Sequence, residues 1–272
     1  MTFCCALAHA QDASMVPTYL KGFETATTDS ARCHFLWQAA FNSAHSDAQK
    51  GIEYAIRALH IAQKIEHNKL IGDSENALGF CYENTGVMDS AMVHYSNSIA
   101  ALNKSGNTCE IASVHANIGN MLKKQNDVKG ALESFTRAEE TQKNCPDIGY
   151  HASTFYSIGT CYNSLENYER SLEYFNRSLE KEVAANNTGK QGNVHNGKAN
   201  AYLGLNDFVN ADKEYREAQR CFMQTGNTYF VAYAYEGIAQ LFDKKNQLDS
   251  AIFYCSQALN IFKELEVKFD IV

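Results

Sequence analysis

Proline is almost missing from this chain. Its 272 residues hold two, Pro17 and Pro146, so little stands in the way of long helices, because proline lacks an amide donor and clashes with the preceding helical turn. An excess of basic residues is missing too. Lys and Arg number 24 against 31 Asp and Glu, a formal net charge of −7, and the basic side chains fall singly or in pairs such as Lys123-Lys124 and Lys244-Lys245. No basic stripe forms, which argues against nucleic acid or an anionic membrane surface as the partner. No apolar run approaches the ~18 residues that a membrane span needs, so no membrane crossing is expected within the chain.

Catalytic and metal-binding signatures are also lacking. The 9 His never form HxxxH or HExxH, and His115 and His195 lie too far apart in the sequence pattern to share one ion. No GxSxG or Cys-Gly-Ser context surrounds the serines and cysteines. Gly189-Lys190-Gln191-Gly192 has the wrong glycine spacing for a phosphate loop and no strand before it. The 9 Cys show no CxxC pair and read as small buried apolar residues. The expectation is a protein with no catalytic residues, no metal and no cofactor. The triplets at Asn103, Asn176 and Asn186 match a glycosylation acceptor, a permissive pattern read as incidental.

What the chain does have is apolar surface, 45% hydrophobic and 11% aromatic residues, enough for a sizeable core. Residues 1–10 are mostly apolar, and Ala8-His9-Ala10 has the small-x-small form of a secretory cleavage site. The basic start of such a leader is missing, since the first basic residue is Lys21. The segment reads as a clipped signal peptide, with an ordinary short leader as the alternative. Residues 11–31 form a lead segment.

From residue 32 the sequence repeats itself. Ala77-Leu78-Gly79-Phe80-Cys81-Tyr82, Asn117-Ile118-Gly119-Asn120-Met121-Leu122 and Ser157-Ile158-Gly159-Thr160-Cys161-Tyr162 recur every 40 residues. The ruler extends to six units beginning near 32, 72, 112, 152, 192 and 232. One column reads Ala39, Gly79, Gly119, Gly159, Ala199, Ala239. Twelve residues on it reads Gly51, Ala91, Ala131, Ser171, Ala211, Ala251, and seven beyond that Ala58, Ser98, Ala138, Ser178, Ala218, Ala258. Beside these run large columns, Asn42, Tyr82, Leu122, Tyr162, Tyr202, Phe242 and Ala55, Tyr95, Phe135, Phe175, Tyr215, Cys255. Offsets of three, four and seven put such residues on one helical face. Small residues let two helices approach, and aromatic rings fill the space beside them. Polar pairs such as Asn126-Asp127 and Asn206-Asp207 mark the turn inside each unit, and Ser105-Gly106-Asn107, Cys145-Pro146-Asp147 and Thr225-Gly226-Asn227 mark links between units. Gln38 and Asn42 in the first unit, and Lys198 in the fifth, stand where large apolar residues are expected, so local distortion is expected at both.

These small and aromatic columns resemble tetratricopeptide repeats over residues 32–272. The resemblance implies an all-α fold, an α-α superhelix (a TPR solenoid) of about six antiparallel helix hairpins, with helices longer than in the usual ~34-residue unit. Forty-residue units resemble the N-terminal repeat region of bacterial sensor histidine kinases and also cytosolic peptide-sensing regulators. In such a superhelix the first helices line a concave face, where the family holds extended peptides. The stripe facing it offers Asn76, Asn117, Asn120, Tyr156, Asn163, Asn193, Asn196, Asn200, Glu236 and Gln240, with Asp73, Phe80, Glu83 and Asp243 alongside. An asparagine amide both donates to and accepts from a peptide main chain without regard to its sequence, although asparagine also simply solvates an open face. The family's two-carboxylate clamp uses Lys or Arg in this stripe, and its near absence here disfavours that partner class.

The expected function is a protein- or peptide-binding module, the sensory or scaffolding part of an exported bacterial signalling protein, periplasmic or secreted. A cytosolic peptide-responsive regulator and the accessory region of a larger enzyme are the alternatives. The last helix carries Ile252, Leu259, Ile261, Phe262 and Leu265 with no polar cap, so the polypeptide is expected to continue or to self-associate through this hairpin.

Overall fold

The computed structural model describes residues 13–143, 145 and 148–265; the proposed leader at 1–10 lies outside them. Among the described residues every regular element is an α-helix. None is long and apolar enough to cross a membrane. The chain divides into two compact units, Met1–Cys145 and Pro146–Val272.

The first unit holds α1 (Val16–Thr25), α2 (Asp29–Ser43), α3 (Ala48–Lys64), α4 (Asn68–Asn84), α5 (Met88–Ser105), α6 (Thr108–Lys124) and α7 (Val128–Gln142). The second holds α8 (Ile148–Ser164), α9 (Tyr168–Ala184), α10 (Thr188–Gly204), α11 (Phe208–Gln224), α12 (Thr228–Lys244) and α13 (Leu248–Glu264). Within each unit consecutive helices pack as antiparallel hairpins, and the first helices of successive hairpins touch: α2 with α4, α4 with α6, α8 with α10, α10 with α12.

The helices are cut to length by one backbone device. A left-handed residue occurs at Glu66, Gly86, Gly106, Asn126, Glu166, Asn186, Asn206, Gly226 and Asn246, positions that fall on a twenty-residue grid. After each, the following amide reaches back to a carbonyl five residues earlier, as Asp127 to Leu122, Asn167 to Tyr162 and Asp207 to Tyr202, all at 2.9 Å. This Schellman closure satisfies carbonyls that the helix end would leave bare. The next residue starts the new helix. Asp127, Asn167, Asn187, Asp207 and Asn227 accept from the amide three residues on at 3.0–3.3 Å, caps that contribute about 0.5–2 kcal/mol each. Asparagine and glycine serve the left-handed position because they tolerate it.

The grid position between Asn126 and Glu166 is occupied in the sequence by Pro146, which lies outside the described residues and is of a residue type that cannot supply a left-handed turn. There α7 stops at Gln142 after 15 residues, where the other helices from α3 onward have 17 or 18. The same place holds a disulfide, Cys109–Cys145. This corrects the reading of all the cysteines as apolar filler. The two lie 36 residues apart with no motif spacing, and only the α6–α7 hairpin brings the start of one helix beside the end of the other. Cys33, Cys81, Cys161 and Cys221 are buried thiols as expected, while Cys255 is exposed.

All the small-column positions are buried, Ala39 to Ala239, Gly51 to Ala251 and Ala58 to Ala258. The glycines show why. A Cβ on Gly79 would sit 2.6 Å from the Tyr95 ring, on Gly119 2.7 Å from Phe135, and on Gly159 2.8 Å from Phe175. Tyr95, Phe135 and Phe175 of the second large column thus pack closely against the helix before them, while the Tyr215 ring packs against Gly237 of the helix after it.

The two sites of expected distortion differ. In the first hairpin no left-handed residue separates α2 from α3, and Asn42 turns its amide back onto the Gln38 carbonyl at 2.8 Å. At Lys198 there is no distortion: α10 runs its full 17 residues, because the lysine is partnered, as described below. On α13 the apolar Leu248, Ile252, Phe253 and Leu259 are exposed, while Phe262 is buried.

The ring contact makes a test. Gly119→Leu must displace the fully buried Phe135 and should lower unfolding free energy by about 1–3 kcal/mol through overpacking, read by urea denaturation. Unchanged stability would mean that the ring does not lie where the structure puts it.

Candidate functional site

In the second unit α8, α10 and α12 stand side by side and enclose a cavity of about 460 Å³. Five of the stripe residues line it: Asn163 from α8, Asn196 and Asn200 from α10, Glu236 and Gln240 from α12. Asn196 and Glu236 are one forty-residue period apart, as are Asn200 and Gln240, so the repeat itself places them in parallel rows. Tyr168, Leu203, Gly204, Tyr233, Gly237 and Lys244 complete the wall. These were not foreseen, although Gly204 carried a signal: a Cβ there would collide with the Tyr168 ring, so only glycine keeps that ring against α10.

The polar chemistry of this cavity is unfinished. The side-chain oxygens of Asn163 and Asn196 are buried and have no hydrogen-bond partner among the described residues, a condition costing about 1–3 kcal/mol for each group. Asn200 is half-engaged. Its oxygen accepts from the Tyr215 hydroxyl at 2.6 Å, which leaves its amide N–H donors for another group. Burial, with the Glu236 carboxylate nearby, pushes the Tyr215 phenol up and keeps it a neutral donor. The cavity therefore presents buried acceptors beside donors, the two faces of a peptide bond.

Behind this wall α10 is anchored by a buried ionic cluster. Glu214 of α11 accepts from Lys198 at 2.8 Å and pairs with His195 Nδ1 at 2.6 Å. Burial alone would raise the Glu214 carboxyl; the hydrogen bonds from His195 and Lys198 overcome it and hold the group below the ordinary carboxylate range. Lys198 and His195 thus fix the rotation of the helix that presents Asn196 and Asn200.

The remaining stripe residues go elsewhere. Tyr156 and Asn193 line a second cavity of about 180 Å³ with Ser153, Ser157, Ser178, Glu182, Lys190 and Val194. In the first unit Asn117 donates to the Asn76 oxygen at 3.0 Å, so these two amides bind each other, while Asn120 is exposed on α6. Glu83, expected on the open stripe, is instead buried. It accepts from Tyr95 at 2.8 Å and from Lys124 at 2.5 Å, a network whose partners are 12 and 41 residues away. Among the described residues no group of three His, Cys, Asp or Glu is placed to hold a metal ion.

The tetratricopeptide repeat family model matches residues 152–180 and 232–264, the first spanning most of α8 and α9 and the second α12 and α13. Those two segments are matched as tetratricopeptide repeats. No curated protein matches the chain. Among solved structures it resembles a STAND signal-transduction ATPase with a tetratricopeptide repeat sensor from Pyrococcus horikoshii, at 12% identity and TM-score 0.73, over 90% of this chain and 39% of that one. It also resembles a Rap protein complexed with Competence and Sporulation Factor, at 17% identity and TM-score 0.67, over 96% and 72%. BtubC from P. vanneervenii aligns at 17% identity and TM-score 0.67, over 80% and 91%. At these identities the likeness is one of fold, a tetratricopeptide repeat solenoid.

The ionic cluster yields a second test. Lys198→Met removes one of the two partners of the buried Glu214 carboxylate and should destabilise by about 1.5–3 kcal/mol at neutral pH. Because the folded pKa of Glu214 is depressed, its contribution is present above the unfolded carboxylate range and is lost as pH falls through the folded value. The gap between wild type and variant should therefore narrow on acidification, read by thermal melts across pH. A gap constant with pH would dissociate Glu214 from Lys198.

Proposed function

We propose that the chain is a non-catalytic binding module that holds an extended peptide, or an extended segment of a protein, in the cavity between α8, α10 and α12. The observation that carries this is the pair of buried amide oxygens of Asn163 and Asn196, unpartnered among the described residues, facing a cavity that also holds the Asn200 and Gln240 amides, the Glu236 carboxylate, the Lys244 ammonium and the hydroxyl-bearing Tyr168 and Tyr233. A main chain supplies N–H donors for those oxygens and carbonyls for the Asn200 and Gln240 donors, with no demand on side-chain sequence. A Rap protein of similar fold was solved with Competence and Sporulation Factor bound, which supports a capture role for such repeats. In an array of immobilised peptides probed with the intact chain, Asn163→Ala with Asn196→Ala should lose binding at least tenfold while the melting temperature holds. Binding equal to wild type would reduce these amides to structural residues.

The finer reading is the sensory or scaffolding part of an exported signalling protein, resembling histidine-kinase repeat regions. The Cys109–Cys145 disulfide supports export, since disulfides persist in oxidising compartments and are rare in the cytosol. The leader pattern at residues 1–10 points the same way, and the tetratricopeptide repeat sensor in the STAND protein supports the sensory part of the reading. Expressed with its native start, the protein should appear outside the inner membrane with the 109–145 bridge intact on non-reducing peptide mapping. Retention in the cytoplasm with both thiols free would favour the cytosolic-regulator reading.

The exposed Leu248, Ile252, Phe253 and Leu259 on α13 form a face that we assign to self-association. Light scattering should show mass rising with concentration, and Ile252→Glu with Phe253→Glu should abolish the rise. A strictly monomeric wild type would end that assignment.

A further inference from the structure

The smaller cavity of the second unit has a chemistry that peptide capture does not use. It lies between α8, α9 and α10, and its volume of about 180 Å³ is below the roughly 300 Å³ where drug-sized pockets begin. Its wall carries one group of each sign. Glu182 of α9 is buried, its side chain 5% exposed, and Lys190 of α10 stands half-exposed at the rim. Their closest approach is 3.8 Å, beyond hydrogen-bonding range. The Glu182 carboxylate has no hydrogen-bond donor among the described residues. Gln191 donates only to the Glu182 backbone carbonyl at 3.1 Å, and the Ser178 hydroxyl is spent on Ala152 at 2.9 Å. A carboxylate taken from water without a donor is costly, and burial raises the Glu182 carboxyl despite the nearby lysine. The two charges make only a long ion pair of 3.8 Å, where Lys198 and Glu214 close to 2.8 Å, and a hydroxyl- and amide-lined space lies beside them.

We propose that this cavity is a second binding site that takes a small free α-amino acid, its ammonium on the Glu182 carboxylate and its carboxylate on the Lys190 ammonium. A zwitterion matches both signs at once and leaves the site neutral overall, whereas a simple amine or a simple acid leaves one wall charge unmatched. The Ser157 hydroxyl and Asn193 amide line the same space and suit a small or hydroxylated side chain. The groove amides Asn163 and Asn196 line the other cavity, so this site stands independently of peptide capture.

The test is ligand-observed NMR and calorimetry on the intact chain with glycine and serine, using methylammonium, acetate and tryptophan as controls. Serine or glycine should bind saturably at millimolar concentration, with each control at least tenfold weaker. Glu182→Gln and Lys190→Met should each weaken binding at least tenfold while the helical circular dichroism signal and its melt are retained. Asn163→Ala with Asn196→Ala should leave amino-acid binding unchanged, which separates failure here from failure of the peptide reading. The proposal is overturned if neither amino acid binds the folded wild type, if methylammonium or acetate binds as tightly, or if either charge variant binds undiminished.

Discussion

The close approach of an aromatic ring to a residue with little or no side chain governs both units. Tyr95 against Gly79, Phe135 against Gly119 and Phe175 against Gly159 leave no room for a Cβ, so in these three hairpins the second helix lies at a distance set by a ring. That distance puts Ser171 near enough to bond the Gly159 carbonyl at 2.9 Å, and brings Ser98 and Ser178 to the Gly72 and Ala152 carbonyls at 2.7 and 2.9 Å. Hydrogen bonds from serine to a neighbouring helix backbone are then a consequence of the packing. The groove follows as well, since first helices held in register at forty-residue intervals place their polar faces in rows.

Much of the fold was legible in the sequence because its causes are periodic. Small and large columns recur every forty residues, and an offset of three, four or seven has one meaning on a helix. The left-handed turns are read with equal ease once Gly86, Gly106, Asn126 and Asn206 are aligned, though Glu66 and Glu166 show that the position tolerates residues a turn rule would not select. What escaped reading depends on pairs that the period does not relate. Cys109 meets Cys145 because a hairpin folds back, Lys198 is accommodated because Glu214 arrives from the next helix, and Glu83 is withdrawn from the stripe by Tyr95 and Lys124. Each pairing needs two side-chain directions known together.

The binding surface shows the same division. The stripe rule chose residues on one face of the first helices, and for Asn163, Asn196, Asn200, Glu236 and Gln240 that face bounds one cavity. It did not separate them from Tyr156 and Asn193, which sit seven residues before Asn163 and Asn200 along α8 and α10 and line a cavity with Ser178 and Glu182 of α9 instead. Nor did it foresee Asn76 and Asn117 satisfying each other. Helical periodicity fixes the direction around the axis; position along the axis decides which neighbour a side chain meets.

The twenty-residue spacing of the left-handed turns has an evolutionary consequence. One codon inserted within a helix rotates everything beyond it by about 100°, carrying ring and glycine columns out of alignment and the turn residue off its position. Two or three codons fare little better. A duplicated block of forty, starting anywhere inside a hairpin, restores every column and every turn at once. Such an array can thus change length by whole hairpins through recombination while remaining closed to small insertions, and a place where that rule relaxes in this chain is the α2–α3 corner, which closes without a left-handed residue.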